Sequence, residues 1–423
     1  MSLSNAMQSS VSGLGTASAA ISVIGDNIAN VSTPGFKERR AEFSDALGRA
    51  ISTSGGFAQT GSGSRVANVS QIFSQGGLES TSRETDLAIE GQGFFILDDD
   101  QGRVYSRAGQ FSFDNLGNLV DPFGRHVQGF ELDPATELPT GQLSDVRIDT
   151  SVSAPQQTRM IDVSLNLDAD VALVGPFDPA NAIATSNFVT KVSVFDSLGS
   201  EHETSLFFTR TGENAWEWNA GLSPAVEGDP YDVQGTGALA FNAFGTLTSG
   251  GSSTSAFDFG AGAQPGQNIE LNFGPTGLLG SASTTTQFAD TPSVVNAQSQ
   301  DGYGAGTLQS LAIGSEGFLS ASFSNGVTRP ISQVALATFS AVEGLDAVGN
   351  NAFAETRDSG QPLVGEANSG QFGSIRSNSV EQSNVDLAAQ FIRLIMNQRA
   401  FQANTRTVST TNELMANLVQ LGQ

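Results

Sequence analysis

The sequence predicts an α+β fold, mostly β: N- and C-terminal helices pair as a coiled-coil-like foot, with nested β-sandwich or barrel-like domains inserted between them. Two observations carry this. Apolar residues recur at alternating steps of three and four at both ends, the mark of a helix seam. Between the ends, short alternating strands are punctuated by Gly, Asn and Asp turns, the pattern of sandwiches and barrels. No fixed-period repeat connects them.

The first stripe reads Leu3, Met7, Ser10, Leu14, Ala17, Ile21, Ile24, Ile28 and Val31, and the breaker Thr33-Pro34-Gly35 ends it. A Ser/Thr/Gly-rich segment, 52–64, follows and reads as a flexible link. Residues 86–97 read as strand–turn–strand, and 104–130 alternate aromatic and polar residues with Gly at the turns. Further strands are expected at 160–167, 188–196, 203–209, 214–219, 268–273, 318–323 and 333–340. Segment 248–266, rich in Gly, Ser and Ala, reads as an outer loop, and 356–379 as the approach to the last helix. In that helix Leu387, Leu394, Phe401, Val408 and Met415 hold one heptad position. Phe391, Gln398, Thr405, Asn412 and Val419 hold the other, and three of these are polar. Ser383 followed by Asp386 reads as its N-cap with a carboxylate in the first turn. The expected domains are 1–71 with 371–423 as a terminal helical assembly domain with extended links, 72–146 with 291–370 as an inner β domain, and 147–290 as an outer β domain.

Neither apolar stripe has a core beside it in sequence, and an isolated helix is marginal in water. The stripes are therefore expected to pair and to pack against neighbouring chains. The assembly residues are Leu3, Met7, Leu14, Ile21, Ile24, Ile28 and Val31 with Leu387, Phe391, Leu394, Phe401, Val408, Met415 and Val419. Ordering about thirty residues costs about as much as burying the first stripe returns. The ends are thus expected to fold on assembly.

Composition narrows the function. Forty-three Asp and Glu against 19 Lys and Arg give a net charge of −24, which argues against nucleic acid and against anionic membranes. The chain has no Cys, so thiolate chemistry and disulfides are excluded. The start, Met1-Ser2-Leu3-Ser4-Asn5, has neither a basic nor an apolar leader region, so no cleaved signal peptide is expected; no apolar run suits membrane insertion. Asp98-Asp99-Asp100-Gln101-Gly102 fails as a Ca²⁺ loop, because the twelfth position is Gly109 where a bidentate Glu is needed. His126 and His202 are the only histidines, too few for a zinc site without further ligands. No nucleophile elbow or P-loop is present, and no enzyme, metal or cofactor is expected. Trp216 and Trp218 share one face of a predicted strand, which suits core packing or a ligand equally. Lys37, Arg39 and Arg40 form a basic cluster, either a solvated loop or a contact for acidic surface on a neighbouring subunit.

Four ordered blocks carry a resemblance. Asn27-Ile28-Ala29-Asn30-Val31-Ser32-Thr33-Pro34-Gly35-Phe36-Lys37 closely resembles the signature of flagellar rod and hook axial proteins, with Asn30, Thr33, Pro34, Gly35, Phe36 and Lys37 as motif residues. Asp86 to Leu97, Tyr105 to Phe130, and Ser383 to Asn404 resemble the family's later blocks. The segment from Val192 through Trp218 is similar to the outer domain of hook members, which the shorter rod members lack. The resemblance implies a subunit exported through the flagellar type III apparatus that polymerises with its own kind into a curved extracellular tube. That tube is a universal joint between motor and filament. The implied partners are the distal rod, the hook cap and the hook–filament junction proteins. Some relatives cross-link through a Cys, which this chain lacks. Three alternatives are a rigid distal rod subunit, a co-exported carbohydrate-active or peptidoglycan-cleaving enzyme, and a junction or cap protein.

Overall fold

The computed structural model describes residues 3–53, 56–99, 102–133, 136–148, 152–224, 229–277 and 284–421. Strands dominate, and two long helices flank them: α1, Leu3–Ala29, and α2, Leu387–Leu421. Neither is long and apolar enough to cross a membrane. The chain divides into two compact units. Unit 1 is Met1–Asp149, Ser310–Ser322 and Thr328–Gln423, and unit 2 is Thr150–Gln309 with Phe323–Val327.

In unit 1, α1 packs antiparallel on α2 and on a long hairpin of β1, Arg39–Thr53, and β2, Gly56–Gln71. Segment 52–64 is therefore part of a hairpin and not a flexible link, apart from residues 54 and 55, which lie outside the described ones. The reason lies in its flanks: Ala41 pairs with Val69 and Phe43 with Val66, and this ladder carries the Gly/Ser-rich tip. Ser12 Oγ accepts a hydrogen bond from the Ser64 amide (3.1 Å), which lays the hairpin against α1.

The β part of unit 1 is built around strand Phe94–Asp99, which pairs with Gly102–Ser106, His126–Leu132 and Thr328–Thr338. Its side chains alternate between two cores, as the period of two requires. Phe95 and Leu97 join Phe111, Leu119 and Val127; Phe94 and Ile96 join Tyr105, Phe130 and Phe353. Strand Thr328–Thr338 divides likewise, Val334 and Leu336 to one side, Ala335 and Ala337 to the other. A strand covered on both faces needs a continuous apolar run, which explains Phe94-Phe95-Ile96-Leu97. The acidic run after it begins a hairpin in which Asp99 pairs with Gly102.

Unit 2 packs two five-stranded sheets over one core. One is a meander of Phe188–Phe195, Glu201–Gly212, Ala215–Leu222, Asp232–Phe241 and Leu247–Ser249. The other centres on Met160–Asp168, parallel to Gln267–Asn272 and Thr286–Phe288 and antiparallel to Val294–Gln300. Its edge strand Ser252–Phe257 runs through the segment read as an outer loop, where alternate Ser and Thr face out and Phe257 reaches the core. Trp216 and Trp218 are both in that core, 1% and 0% exposed, which decides for packing. Trp216 Nε1 donates to Gln287 Oε1 at 3.1 Å. Across from Trp218 lies Gly237, where a Cβ would fall 2.6 Å from the indole ring.

Candidate assembly surface

Except for Val31, in the turn after α1, the expected assembly residues lie on α1 and α2, where their exposure differs. On α1 the most deeply buried positions are Ser10, Ala17, Ala20, Ile24 and Asn27. Met7, Leu14, Ile21 and Ile28 are half-buried at the flank of that strip, and Val31, in the turn after α1, is half-buried as well. The buried strip is small and polar because it lies close to α2: a Cβ on Gly13 would come 2.6 Å from Asn404 Nδ2. On α2 the facing positions are Gln390, Leu394, Asn397, Asn404, Val408 and Thr411. Asn27 Nδ2 donates to Gln390 Oε1 at 3.4 Å, closing one end of this polar seam.

The other face of α2 is open. Leu387, Phe391, Ile392, Ile395 and Met396 are 40% to 65% exposed, and Phe401 and Met415 are 39% and 43% exposed. Contiguous exposed apolar surface of this kind marks an interaction site. The side chains of Leu3 and Val419 lie outside the described ones. Asp386, not Ser383, caps α2: its Oδ1 accepts from the Ala388 and Ala389 amides at 2.8 and 3.2 Å. Ser383 sits too far upstream, and its Oγ instead accepts from the Val385 amide at 3.4 Å.

The motif after α1 is a clamp. Asn30 Nδ2 donates to the Asp26 carbonyl (2.9 Å) and Thr33 Oγ1 to Asn30 Oδ1 (3.2 Å), which finishes the helix in a tight turn. The Pro34 carbonyl accepts from Asn351 Nδ2 at 2.9 Å. Gly35 has φ +71, and a Cβ there would meet the backbone nitrogen of Ala108 at 2.5 Å. Its amide donates to the Glu381 carbonyl at 2.7 Å, tying the motif to the segment before α2. Phe36 is buried, with the Arg39 guanidinium 5.9 Å from its ring centre. Gly35→Ala should lower the stability of unit 1 by at least ~1–2 kcal/mol, the cost of holding an L-residue left-handed. Thermal unfolding by circular dichroism checks this; an unchanged melt would mean the clamp yields freely.

Lys37 is not part of a surface basic cluster. Its Nζ lies 2.6 Å from Glu381 Oε1 and 2.9 Å from the Ser74 carbonyl, in a site where both charged side chains are about 1% exposed or less. Arg107 Nη1 approaches Glu381 Oε2 at 3.5 Å, Nη2 donates to the Gly91 carbonyl, and the guanidinium stands 5.3 Å from the Phe94 ring centre. Burial pulls the Lys37 ammonium below the ordinary lysine range, against the opposing pull of Glu381. Burial lowers Arg107 in the same way. Glu381 also accepts from the Gly76 amide at 2.8 Å. This triad joins the motif, the inner β core and the entry to α2. Sequence reading assigned no role to Glu381 or Arg107, because a lone charge in a block carries no sign of where its partner lies.

Neither histidine gathers a metal set among the described residues. His126 Nδ1 sits 2.8 Å from Asp145, and His202 Nε2 sits 2.9 Å from Asp196 while its ring stacks on Phe259. Charge is distributed unevenly along the chain. Residues 1–71 and 371–423 hold nine Lys and Arg and seven Asp and Glu, a net of +2, whereas the rest carries −26.

Comparison with known proteins places these features. Four family models match in order: Flagella basal body rod protein over residues 7–37, Flagellar hook protein FlgE/F/G D1 domain over 88–166, Flagellar basal body protein FlaE D2 domain over 166–303, and Flagellar basal body rod FlgEFG protein C-terminal over 376–421. Helical termini around inserted β domains thus define a flagellar axial protein. Flagellar hook protein FlgE of Escherichia coli is 34% identical over 98% of this chain and 100% of its own length. The Borreliella burgdorferi hook protein FlgE is 33% identical over 98% of this chain and 99% of its own length. The chain belongs to the flagellar hook protein family. The crystal structure of Helicobacter pylori flagellar hook protein FlgE2 shares the fold, with a TM-score of 0.53 and 15% identity over 72% of this chain and all of that one.

Proposed function

We propose that this protein polymerises through α1 and α2 into the curved tube of the hook, where it acts as a flexible joint carrying torque from rod to filament. The observation that carries this reading is the open apolar face of α2 from Leu387 to Met396, whose large side chains remain 40% to 65% exposed. The intrachain seam is polar and thin, so pairing with α1 leaves that face free for neighbouring copies. A seam of Gln, Asn and Thr at successive heptads also pairs weakly, since polar residues at such positions cost stability, which suits a joint that re-forms contacts as it turns.

Around this polymer, the distal rod, the hook cap and the hook–filament junction proteins are the partners at its ends. The type III export apparatus delivers the subunit, and the helices fold on assembly. The role is structural and not catalytic. Negative-stain electron microscopy of the full chain in high salt, beside a truncation lacking 1–31 and 384–423, tests the reading. Curved tubes from the full chain and none from the truncation are expected. Straight tubes would favour the rigid distal rod, and tubes from the truncation would remove the helices from the mechanism.

A further inference from the structure

Between α1, β1 and α2 lies a groove of about 270 Å³ whose walls include Val23, Ile24, Arg39, Arg40, Phe43 and Arg393. Phe43 is 46% exposed at its mouth. Three guanidiniums in one groove are unusual in so acidic a chain, and two of them are already matched. Arg39 pairs with Asp26 at 3.1 Å and Arg393 with Glu38 at 2.5 Å. Arg40 has no ion pair among the described residues and is exposed. The groove therefore presents one unneutralised cation beside an aromatic and aliphatic wall.

A complementary element exists further along α2. Glu413 is the only carboxylate between Leu387 and Leu421, against Arg393, Arg399 and Arg406. It is exposed, has no ion pair among the described residues, and is followed by Leu414 and Met415, 50% and 43% exposed. An anion beside two apolar side chains matches a cation beside an apolar wall. Twenty residues of helix separate Arg393 from Glu413, about 30 Å at 1.5 Å per residue, so one copy cannot satisfy itself.

We propose that the groove receives the Glu413–Leu414–Met415 turn of a second copy. This deepens the polymerisation reading above and rests on it. Groove and turn are different surfaces, so the contact is heterologous: each copy offers a free turn and a free groove, and the series continues into a helical polymer. Charge also sets the register. A neighbour sliding along the groove would bring Arg406 or Arg399 against Arg40, and like-charge juxtaposition is penalised strongly.

Charge exchange tests this on the full-length chain. Arg40→Glu and Glu413→Arg each place like charges in the contact, and both positions are exposed, so far-UV circular dichroism should match the wild type. Each variant alone should need about tenfold or more higher protein concentration to form sedimenting tubes, the factor that ~1.4 kcal/mol of repulsion gives. An equimolar mixture should polymerise near the wild-type concentration. In alternating order, the acidic groove of the Arg40→Glu copy receives the basic turn of the Glu413→Arg copy. The next contact joins the native groove of the second variant to the native turn of the first, so both contacts pair opposite charges. Tubes from either variant alone at the wild-type concentration would overturn the contact. So would a folded mixture that stays monomeric. If the wild type itself forms no tubes, the polymerisation reading falls instead, and this contact falls with it.

Discussion

Replacing Glu381 by Ala should destabilise unit 1 by about 3–5 kcal/mol, the usual cost of removing one partner from a buried charge pair. Glu381 is 0% exposed and answers Lys37, Arg107 and the Gly76 amide together. Truncation would leave two buried cations facing each other with nothing between them. Added salt should not repair the defect, because screening acts on exposed charges far more than on buried ones. Glu381→Gln keeps an acceptor for the Gly76 amide and should fall between Ala and the wild type. The measurement is built into the chain: both tryptophans belong to unit 2. Circular dichroism should show an early transition while tryptophan fluorescence melts where it does in the wild type. Coincident, unshifted curves would show that the triad contributes no net stability.

Trp218→Ala should have an effect of similar size in the other unit. Deleting a fully buried Trp or Phe side chain typically costs about 3–5 kcal/mol through lost burial and the cavity left behind. Trp218 is 0% exposed and tilts against Phe273 at 5.5 Å between ring centres. Gly237 opposite it has no side chain to refill the space. The remaining Trp216 then reports unit 2 by itself, and its emission should shift red at a lower denaturant concentration. Tubes should still form, since the polymer contacts proposed above lie in unit 1. A variant that melts like the wild type would mean the sheets close over the cavity. One that melts early and forms no tubes would show that unit 2 takes part in polymerisation.

These two sites mark what was readable in the sequence and what was not. Helix periodicity at the ends and strand alternation in the middle are local signals, so α1, α2 and most strands were legible. The seam on α2 was half legible. Leu394 and Val408 lie on it as read, but its polar members are Gln390, Asn397, Asn404 and Thr411, one position before the heptad set that the pattern suggested. Periodicity of three and four gives a stripe but leaves its exact centre open, and the centre here is marked on α1 by the close approach of Gly13 to Asn404 and by the burial of Ala17 and Ala20. The long hairpin of β1 and β2 was missed because Gly and Ser hide strands that a helix supports from one side. The Lys37 cluster was misread for a different reason. Lys37 and Arg39 are two residues apart, yet one is buried on Glu381 and the other faces Asp26 at the surface. The partner that decides this is 344 residues away.

The uneven charge has a consequence for the assembled tube. In the proposed polymer, terminal segments close to neutral can hold neighbouring copies together while the rest of each chain, at −26, repels its counterparts. Counterions shared between neighbours then form a cloud about 10 Å thick at 0.1 M salt and about 3 Å at 1 M. Compression on the inner side of a bend squeezes that cloud and meets an osmotic push. The stiffness of such a joint belongs partly to the surrounding medium: a cushion in dilute water, nearly bare contact in brine.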